Sequence, residues 1–327
     1  MLLDSTSNQT IRNYANEVVR AKARIASHVR YTYLEYSHYL SALGHARVYL
    51  KTEYLQHTGS FKLRGAMNKV LSLSPDQLKQ GIITASNGNH GIAVCFAAQK
   101  VGTVPVVYLR QGASAERLAL IESLGGRTVL FGVNPLEAEI KAREVARENG
   151  SVFISPYNDK DVIAGQGTIG VELHEQLEDF DAIFIAVGGG GLISGIASYL
   201  KIKAPRTRIV GCWPENSRVL YESIKAARIV DFPEGPTLSE STAGGLEPNS
   251  ITLDLCRSLI DDYVLTSEAE IADALKLIMA EERTIIEGAA AVAVAGYLKE
   301  RKNYEGKSVV VLLCGRNIEF ETLKRIL

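Results

Sequence analysis

The sequence predicts an α/β protein with two open parallel-sheet α/β domains facing a shared cleft. Three observations predict it. Short, continuous apolar runs alternate with helical stripes along most of the chain, as expected when helices cover both faces of a parallel sheet. The 327 residues are enough for two domains of ordinary size. A run of four glycines at 188–191 directly follows one apolar run and leads into a helix, so a tight loop falls at the carboxyl end of a strand, where open α/β sheets hold ligands.

Taken in order, residues 11–29 place Ile11, Ala15, Val18, Val19, Ile25, Ala26 and Val29 near helical spacing, with Lys22 interrupting the stripe, and predict an opening surface helix. A tyrosine-rich stretch and a short strand at 46–50 follow. A helix is then expected over 61–73, with Ser60 as its N-cap. From residue 81 the alternation is regular: strands 81–84, 104–108, 128–131 and 152–154 interleave with helices 92–101, 115–124 and 135–148. A second series runs helix 165–177, strand 182–187, helix 192–200, strand 208–212, helix 267–282 and strand 308–313. The uncharged stretch 182–200 has the length of a membrane span, but its central glycines make it a strand, a turn and a helix. The expected division is a large domain of 1–75 and 157–327 and a small domain of 76–156.

Composition excludes several classes. With 46% hydrophobic and 22% charged residues, the chain is not disordered, fibrous or disulfide-stapled. Thirty-six Lys and Arg against 37 Asp and Glu give a net charge of -1, so no basic field draws nucleic acid or an acidic membrane. The expected partners are a small molecule and further copies of the chain. Cys95, Cys212, Cys256 and Cys314 stand singly, which is neither a zinc pattern nor a disulfide framework and fits a reducing cytoplasm. Residues 1–13 carry Asp4 and several polar residues, with no apolar segment of signal-peptide length.

Five motifs can carry chemistry. Gly188, Gly189, Gly190 and Gly191, followed by Leu192, join a strand to a helix. Such a loop aims backbone N–H groups and the helix dipole at an anion. It lacks the lysine of a P-loop and the spacing of a dinucleotide fingerprint, and a close-packed turn would also need these glycines. Lys62 sits in Ser60-Phe61-Lys62-Leu63-Arg64-Gly65. Burial among apolar neighbours lowers an ammonium pKa and yields a free amine capable of Schiff-base chemistry, while the plain alternative is a surface lysine on an amphipathic helix. Ser86-Asn87-Gly88-Asn89-His90-Gly91 collects hydroxyl, amide and imidazole groups at a strand-to-helix turn, suited to a carboxylate or a ring oxygen or simply to capping the helix. Cys314-Gly315-Arg316-Asn317 ends a strand with a cysteine in the turn, and Glu287 opens the alanine-rich helix 289–298.

In this order and spacing, and with Ala164-Gly165-Gln166-Gly167-Thr168 between them, the motifs resemble the fold-type II pyridoxal-phosphate enzymes, which are tryptophan synthase β-like. The threonine and serine dehydratase branch that includes serine racemase is the most similar. The resemblance implies pyridoxal 5'-phosphate in the cleft, Lys62 as the Schiff-base lysine and Phe61 packed beside the cofactor. It implies that Gly188, Gly189, Gly190, Gly191 and the N–H of Leu192 hold the phosphate and that Asn89 bonds the ring hydroxyl. Ser86, Asn87 and His90 receive the substrate carboxylate or line its site, Cys314 faces the pyridine nitrogen, and Glu287 lies on the far side of the ring. A thiol without formal charge makes the ring a weaker electron sink than a carboxylate partner would, so loss of a β-leaving group follows Cα proton removal. The implied reaction converts a β-hydroxy amino acid to a 2-oxo acid and ammonia, and a cytoplasmic homodimer is expected.

Departures from the family pattern refine this. Asn87 stands where racemising members place a serine, and an amide exchanges no proton near neutral pH, so racemisation is disfavoured. Trp213, Ser217 and Val219 occupy positions where metal-activated members bind a cation, so no metal is expected. Tyr33, Arg316 and Leu238-Ser239-Glu240-Ser241-Thr242 also differ, which opens the substrate to specialised β-hydroxy amino acids: phenylserine, 3-hydroxyaspartate or one released in hydroxyectoine utilisation. The chain stops soon after the catalytic core, leaving no room for a regulatory domain and favouring a degradative role. A β-replacement enzyme of cysteine-synthase type and a non-catalytic ligand-binding homologue are the remaining alternatives.

Overall fold

The computed structural model describes residues 5–86 and 88–327. The helices are α1 (Ser5–Ile25), α2 (His38–Gly44), α3 (Lys62–Ser72), α4 (Pro75–Gln80), α5 (Asn89–Gln99), α6 (Ala115–Ser123), α7 (Pro135–Asn149), α8 (Lys160–Gln176), α9 (Gly191–Lys203), α10 (Val219–Ala226), α11 (Thr252–Leu259), α12 (Glu268–Glu281), α13 (Gly288–Glu300) and α14 (Phe320–Ile326). The strands are β1 (Leu34–Tyr36), β2 (Arg47–Lys51), β3 (Ile82–Ala85), β4 (Val106–Leu109), β5 (Arg127–Leu130), β6 (Val152–Phe153), β7 (Ala182–Ala186), β8 (Arg208–Pro214), β9 (Asp262–Thr266) and β10 (Ser308–Leu312).

They form two sheets. One has six strands in the order β1-β2-β10-β7-β8-β9, the other four in the order β5-β4-β3-β6. Every pairing is parallel except β1 with β2. The central strands β7 and β10 are buried at every residue, which is why they read as unbroken apolar runs rather than alternations. The alanine-rich α13 and the opening helix α1 belong to the core built on the larger sheet. Each predicted strand and helix falls on an observed element, shifted by a few residues at its ends.

Several expectations are corrected. The opening helix stops at Ile25, and Val19 is 51% exposed rather than part of the buried stripe. Lys22, the interruption in that stripe, reaches a carboxylate of α8 instead: its Nζ lies 3.2 Å from Glu172 Oε1. Ser60 does not cap α3. Phe61 is the cap residue, without a side-chain bond, while Ser60 bridges Gly315 across the β10 turn and its buried hydroxyl has no partner among the described residues. The short elements β1, α2, α4, α10, α11, β9 and α14 give too few turns or alternations to register as periodicity.

The segment Ala164-Gly165-Gln166-Gly167-Thr168 proves to be a packing device. A Cβ on Gly165 would stand 2.5 Å from the Arg64 carbonyl oxygen, and one on Gly167 would stand 2.8 Å from that of Gly195. Helix α8 therefore lies backbone to backbone against α3 and α9, and fixes the two elements whose first turns border the cleft.

Candidate active site

Between the sheets lies a cavity of about 750 Å³ lined by Phe61, Lys62, Ser86, Asn89 and His90 from the first half of the chain. Gly188, Gly189, Gly190, Gly191, Leu192, Glu287 and Cys314 line the same cavity. Folding thus assembles residues up to 253 positions apart (314 minus 61). Asn87 lies outside the described residues.

Lys62 opens α3, and its Nζ donates to the Pro156 carbonyl at 2.8 Å. Burial lowers its pKa to about 8, against the opposing pull of Cys314, Glu287 and Glu139. The lysine is therefore a partly neutral amine near physiological pH, suited to attack a carbonyl carbon or to take a proton. Phe61 holds its ring 5.2 Å from Nζ.

The glycine loop leaves β7 and enters α9. Gly190 has φ +84°, a backbone region that favours glycine. A Cβ on Gly189 would come within 2.4 Å of the Tyr157 ring. Close packing does demand these glycines, yet the loop offers more than packing. Among the described residues, no protein acceptor takes the N–H groups of Gly188, Gly189, Gly190, Gly191 or Leu192. Five donors face one cavity at a helix N-terminus, an arrangement that attracts an anion.

On another wall, Glu287 is 3% exposed and its carboxylate accepts from Asn89 Nδ2 at 2.9 Å to each oxygen and from the Asn317 N–H at 3.1 Å. Burial raises its pKa, and Asn89, Ser241 and Asn317 pull it down. It does not cap its helix through the side chain. Asn89 in turn accepts from Asn317 Nδ2 at 2.6 Å, so the two amides and the carboxylate hold each other in place. Gly315 is required here, since a Cβ would stand 2.7 Å from the Glu287 carboxyl carbon. Cys314 is buried, and that burial, with Glu287 nearby, pushes its thiol well above the usual range. It stays protonated and neutral.

His90 donates from Nε2 to the Ile154 carbonyl, 3.1 Å away, the tautomer that bond requires. Burial, with Lys62 beside it, lowers its pKa to about 3. A neutral imidazole with Nδ1 left as an acceptor lines the loop rather than giving a proton to an anion. Ser86 Oγ accepts from the Gly88 N–H at 3.1 Å, and the cap position of α5 is Gly88, without a side-chain bond.

Sequence reasoning missed several site residues. The Pro156 carbonyl and Tyr157 carry no chemical signal in the sequence. Asn317 lies within a quoted motif, but its bond to Asn89 spans 228 positions. Arg117 on α6 pairs with Glu240 at 2.7 Å and Glu319 at 2.9 Å at the cavity edge. At the far end of β8, Trp213 stacks on Tyr263 with centroids 5.8 Å apart. Among the described residues no group of three or more His, Cys, Asp or Glu is placed to hold a metal, and no helix is long and apolar enough to cross a membrane.

The sequence profile of a family described as pyridoxal-phosphate dependent enzyme matches residues 25–315. The chain belongs to that family. Its similarities within the pyridoxal-phosphate-dependent enzymes are specific. An L-threonine ammonia-lyase of Thermotoga maritima is 36% identical over 311 residues, covering 95% of this chain and 77% of that protein. The catabolic L-threonine dehydratase TdcB of Escherichia coli K12 is 33% identical over 313 residues, covering 95% of both. Among solved structures, the processed form of threonine deaminase isoform 2 from Solanum lycopersicum superposes with a TM-score of 0.92 at 33% identity, covering 99% of this chain and 93% of that one. Maize serine racemase gives 0.89 at 30% identity, covering 95% of each.

The residues fit the cofactor of this pyridoxal-phosphate-dependent family. Its aldehyde needs an amine that is not locked as ammonium, its phosphate needs uncommitted N–H donors, and its ring nitrogen needs a polar neighbour. Lys62, the 188–192 backbone and Cys314 supply one each within one cavity. A change at the loop tests the cradle. In Gly189→Ala the new methyl must displace the Tyr157 ring or the loop. Melting should show a loss of about 1–3 kcal/mol, and a spectroscopic titration should show weaker cofactor binding. Unchanged affinity would mean the loop does not hold the cofactor.

Proposed function

We propose that the protein is a pyridoxal-phosphate-dependent dehydratase, an ammonia-lyase that converts a β-hydroxy amino acid of the threonine or serine type to a 2-oxo acid and ammonia by α,β-elimination. The observation that carries this is the placement of the Lys62 amine, the neutral Cys314 thiol and five uncommitted N–H donors around one cavity. The names of the similar proteins point the same way.

When bound, pyridoxal phosphate supplies an electron sink that acidifies the substrate Cα proton and loosens the β-substituent. In this reading Lys62 would hold the cofactor through Nζ, and the same amine, when free, would take the substrate Cα proton. Its lowered pKa suits both tasks. The N–H groups of Gly188, Gly189, Gly190, Gly191 and Leu192 bind the phosphate. Phe61 packs beside the ring, Asn89 donates to the ring hydroxyl, and Glu287 holds Asn89 from the far side. Cys314 would stand by the ring nitrogen with an uncharged S–H, a weaker partner than a carboxylate and one that would favour elimination of the β-hydroxyl. Ser86, Asn87 and His90 form the substrate end. The β-hydroxyl leaves as water, and hydrolysis of the dehydrated product takes up one water to release ammonia.

The same reading assigns residues 76–156 to a small domain and 1–75 with 157–327 to a large one, a division supported by the confinement of the four-stranded sheet to residues 82–153. It takes the protein to be a cytoplasmic homodimer without a nucleic-acid partner. The net charge of -1 and four buried, unpaired cysteines support this.

The test is release of ammonia and 2-oxo acid by the purified protein, with and without added pyridoxal phosphate, on serine, threonine, phenylserine and 3-hydroxyaspartate. Cofactor-dependent release from any of these is the expected result. Silence on all of them by protein loaded with cofactor would overturn the threonine or serine type of substrate and point to replacement chemistry or to a specialised β-hydroxy amino acid.

A further inference from the structure

The elimination just described leaves several acids of the cavity without a task, Glu139 among them. Glu139, on α7, lines the cavity beside Pro135, Leu136 and Ala138, and its side chain is 13% exposed. Its carboxyl accepts from Arg143 Nη2 at 3.2 Å and meets the carboxyl of Glu247. Glu247 is much better supplied. It accepts from Ser155 Oγ at 2.9 Å, from Asn158 Nδ2 at 3.0 Å and from Arg143. Arg143 is itself seated over the Phe153 ring, 4.2 Å from its centroid.

One guanidinium thus serves two carboxyl groups. The negative charge settles on Glu247, which holds more donors, and Glu139 retains the proton. Burial first, then Glu247, pushes the Glu139 pKa up to about 8. The turn that supplies Ser155 and Asn158 also supplies the Pro156 carbonyl bonded to Lys62 Nζ, and Glu139 and Lys62 line the same cavity. The acid therefore stands on the wall adjoining the reactive amine.

We propose that Glu139 is a specificity-determining residue that selects β-hydroxy amino acids bearing an amino group beyond the β-carbon. An ammonium docked there replaces the proton that Glu139 holds, and the released proton passes to solvent, so the wall gains an ion pair without burying extra net charge. A methyl at the same place leaves the acid without that partner, and a carboxylate meets Glu247. This inference rests on the dehydratase reading.

The experiment compares kcat/KM for ammonia release from 2,4-diamino-3-hydroxybutyrate and from 3-hydroxynorvaline, which has a methyl where the former has the amino group, with threonine and 3-hydroxyaspartate alongside. The wild-type protein should favour the diamino acid over its methyl counterpart by at least about tenfold, within the range a buried polar contact gives. Glu139→Leu should bring that ratio close to one, and Glu139→Gln should give an intermediate ratio. The wild-type ratio decides the matter even if a variant fails to fold. Release from threonine with no preference for the diamino acid, or a preference untouched by Glu139→Leu, would overturn this inference and leave the dehydratase reading standing. No release from any of the four overturns both.

Discussion

Lys62→Ala is expected to reduce ammonia release by about 10³-fold or more, since covalent attachment and proton transfer both fall on one amine. The loss should not come from unfolding. The folded pKa of Lys62, about 8, lies below the ordinary 10.5, so the unfolded chain binds a proton that the folded chain partly gives up. Stability associated with this group is therefore lowest below pH 8 and rises as pH climbs from 8 toward 10.5. Alanine removes a buried ammonium, and the variant should melt no lower than the parent at pH 7. The same pKa governs cofactor uptake. The neutral fraction of Lys62 is about one half near pH 8 and approaches completion above it, so the rate at which cofactor-free protein takes up pyridoxal phosphate should rise through that pH and level at higher pH. A Lys62→Ala protein that turned over at the parental rate would show the amine to lie elsewhere.

The second large effect concerns stability. Two residues beyond Lys62, Arg64 is wholly buried and bonds both Glu53 and Glu172: Nε to Glu53 Oε2 at 2.8 Å, Nη2 to Glu53 Oε1 at 2.7 Å, and Nη1 to Glu172 Oε1 at 2.7 Å. Lys51 Nζ adds a bond to Glu172 Oε2 at 2.8 Å. Burial alone would raise the Glu172 pKa, but Arg64 and Lys51 more than offset it and hold it at about 2. Arg64→Met strands the Glu53 carboxylate in the core and leaves Glu172 to Lys51 and Lys22. Loss of about 3–5 kcal/mol is expected, read as a melting midpoint lower by on the order of 10 °C. Turnover should fall as well, because the network ties the first turn of α3, and so Lys62, to α8 and the end of β2. Adding Glu53→Gln to Arg64→Met should restore much of the stability by removing the stranded charge, since Glu172 still has Lys51. If Arg64→Met alone melted like the parent, the cluster would not be what anchors α3. The stabilisation from Glu172 is present above its unfolded pKa near 4.5 and is lost as pH falls toward 2.

Parts of the site could be read along the chain because their chemistry is local. The glycine loop lies between a strand and a helix, and the lysine stands at the start of another, so sequence adjacency carries both signals. Other parts could not. Pro156 contributes a carbonyl, which every residue has. Arg64 gives no sign of burial along the chain, and only the fold places Glu53 and Glu172 against it. Ser60 has the composition of a cap, yet its backbone pairs with Gly315, a residue 255 positions away (315 minus 60).

The sequence by itself determined the layers and the reactive groups: buried strands must be continuously apolar when helices cover both faces, and an amine, a thiol and an N–H loop are recognisable by residue type and spacing. Only the tertiary structure decided which of those groups are charged and whom they serve. The neutral state of Cys314, the lowered pKa of Lys62 and the choice between Glu139 and Glu247 for a proton depend on burial and on neighbours brought together across the chain. Desolvation and Coulomb energies follow distance in space, which the order of residues does not record.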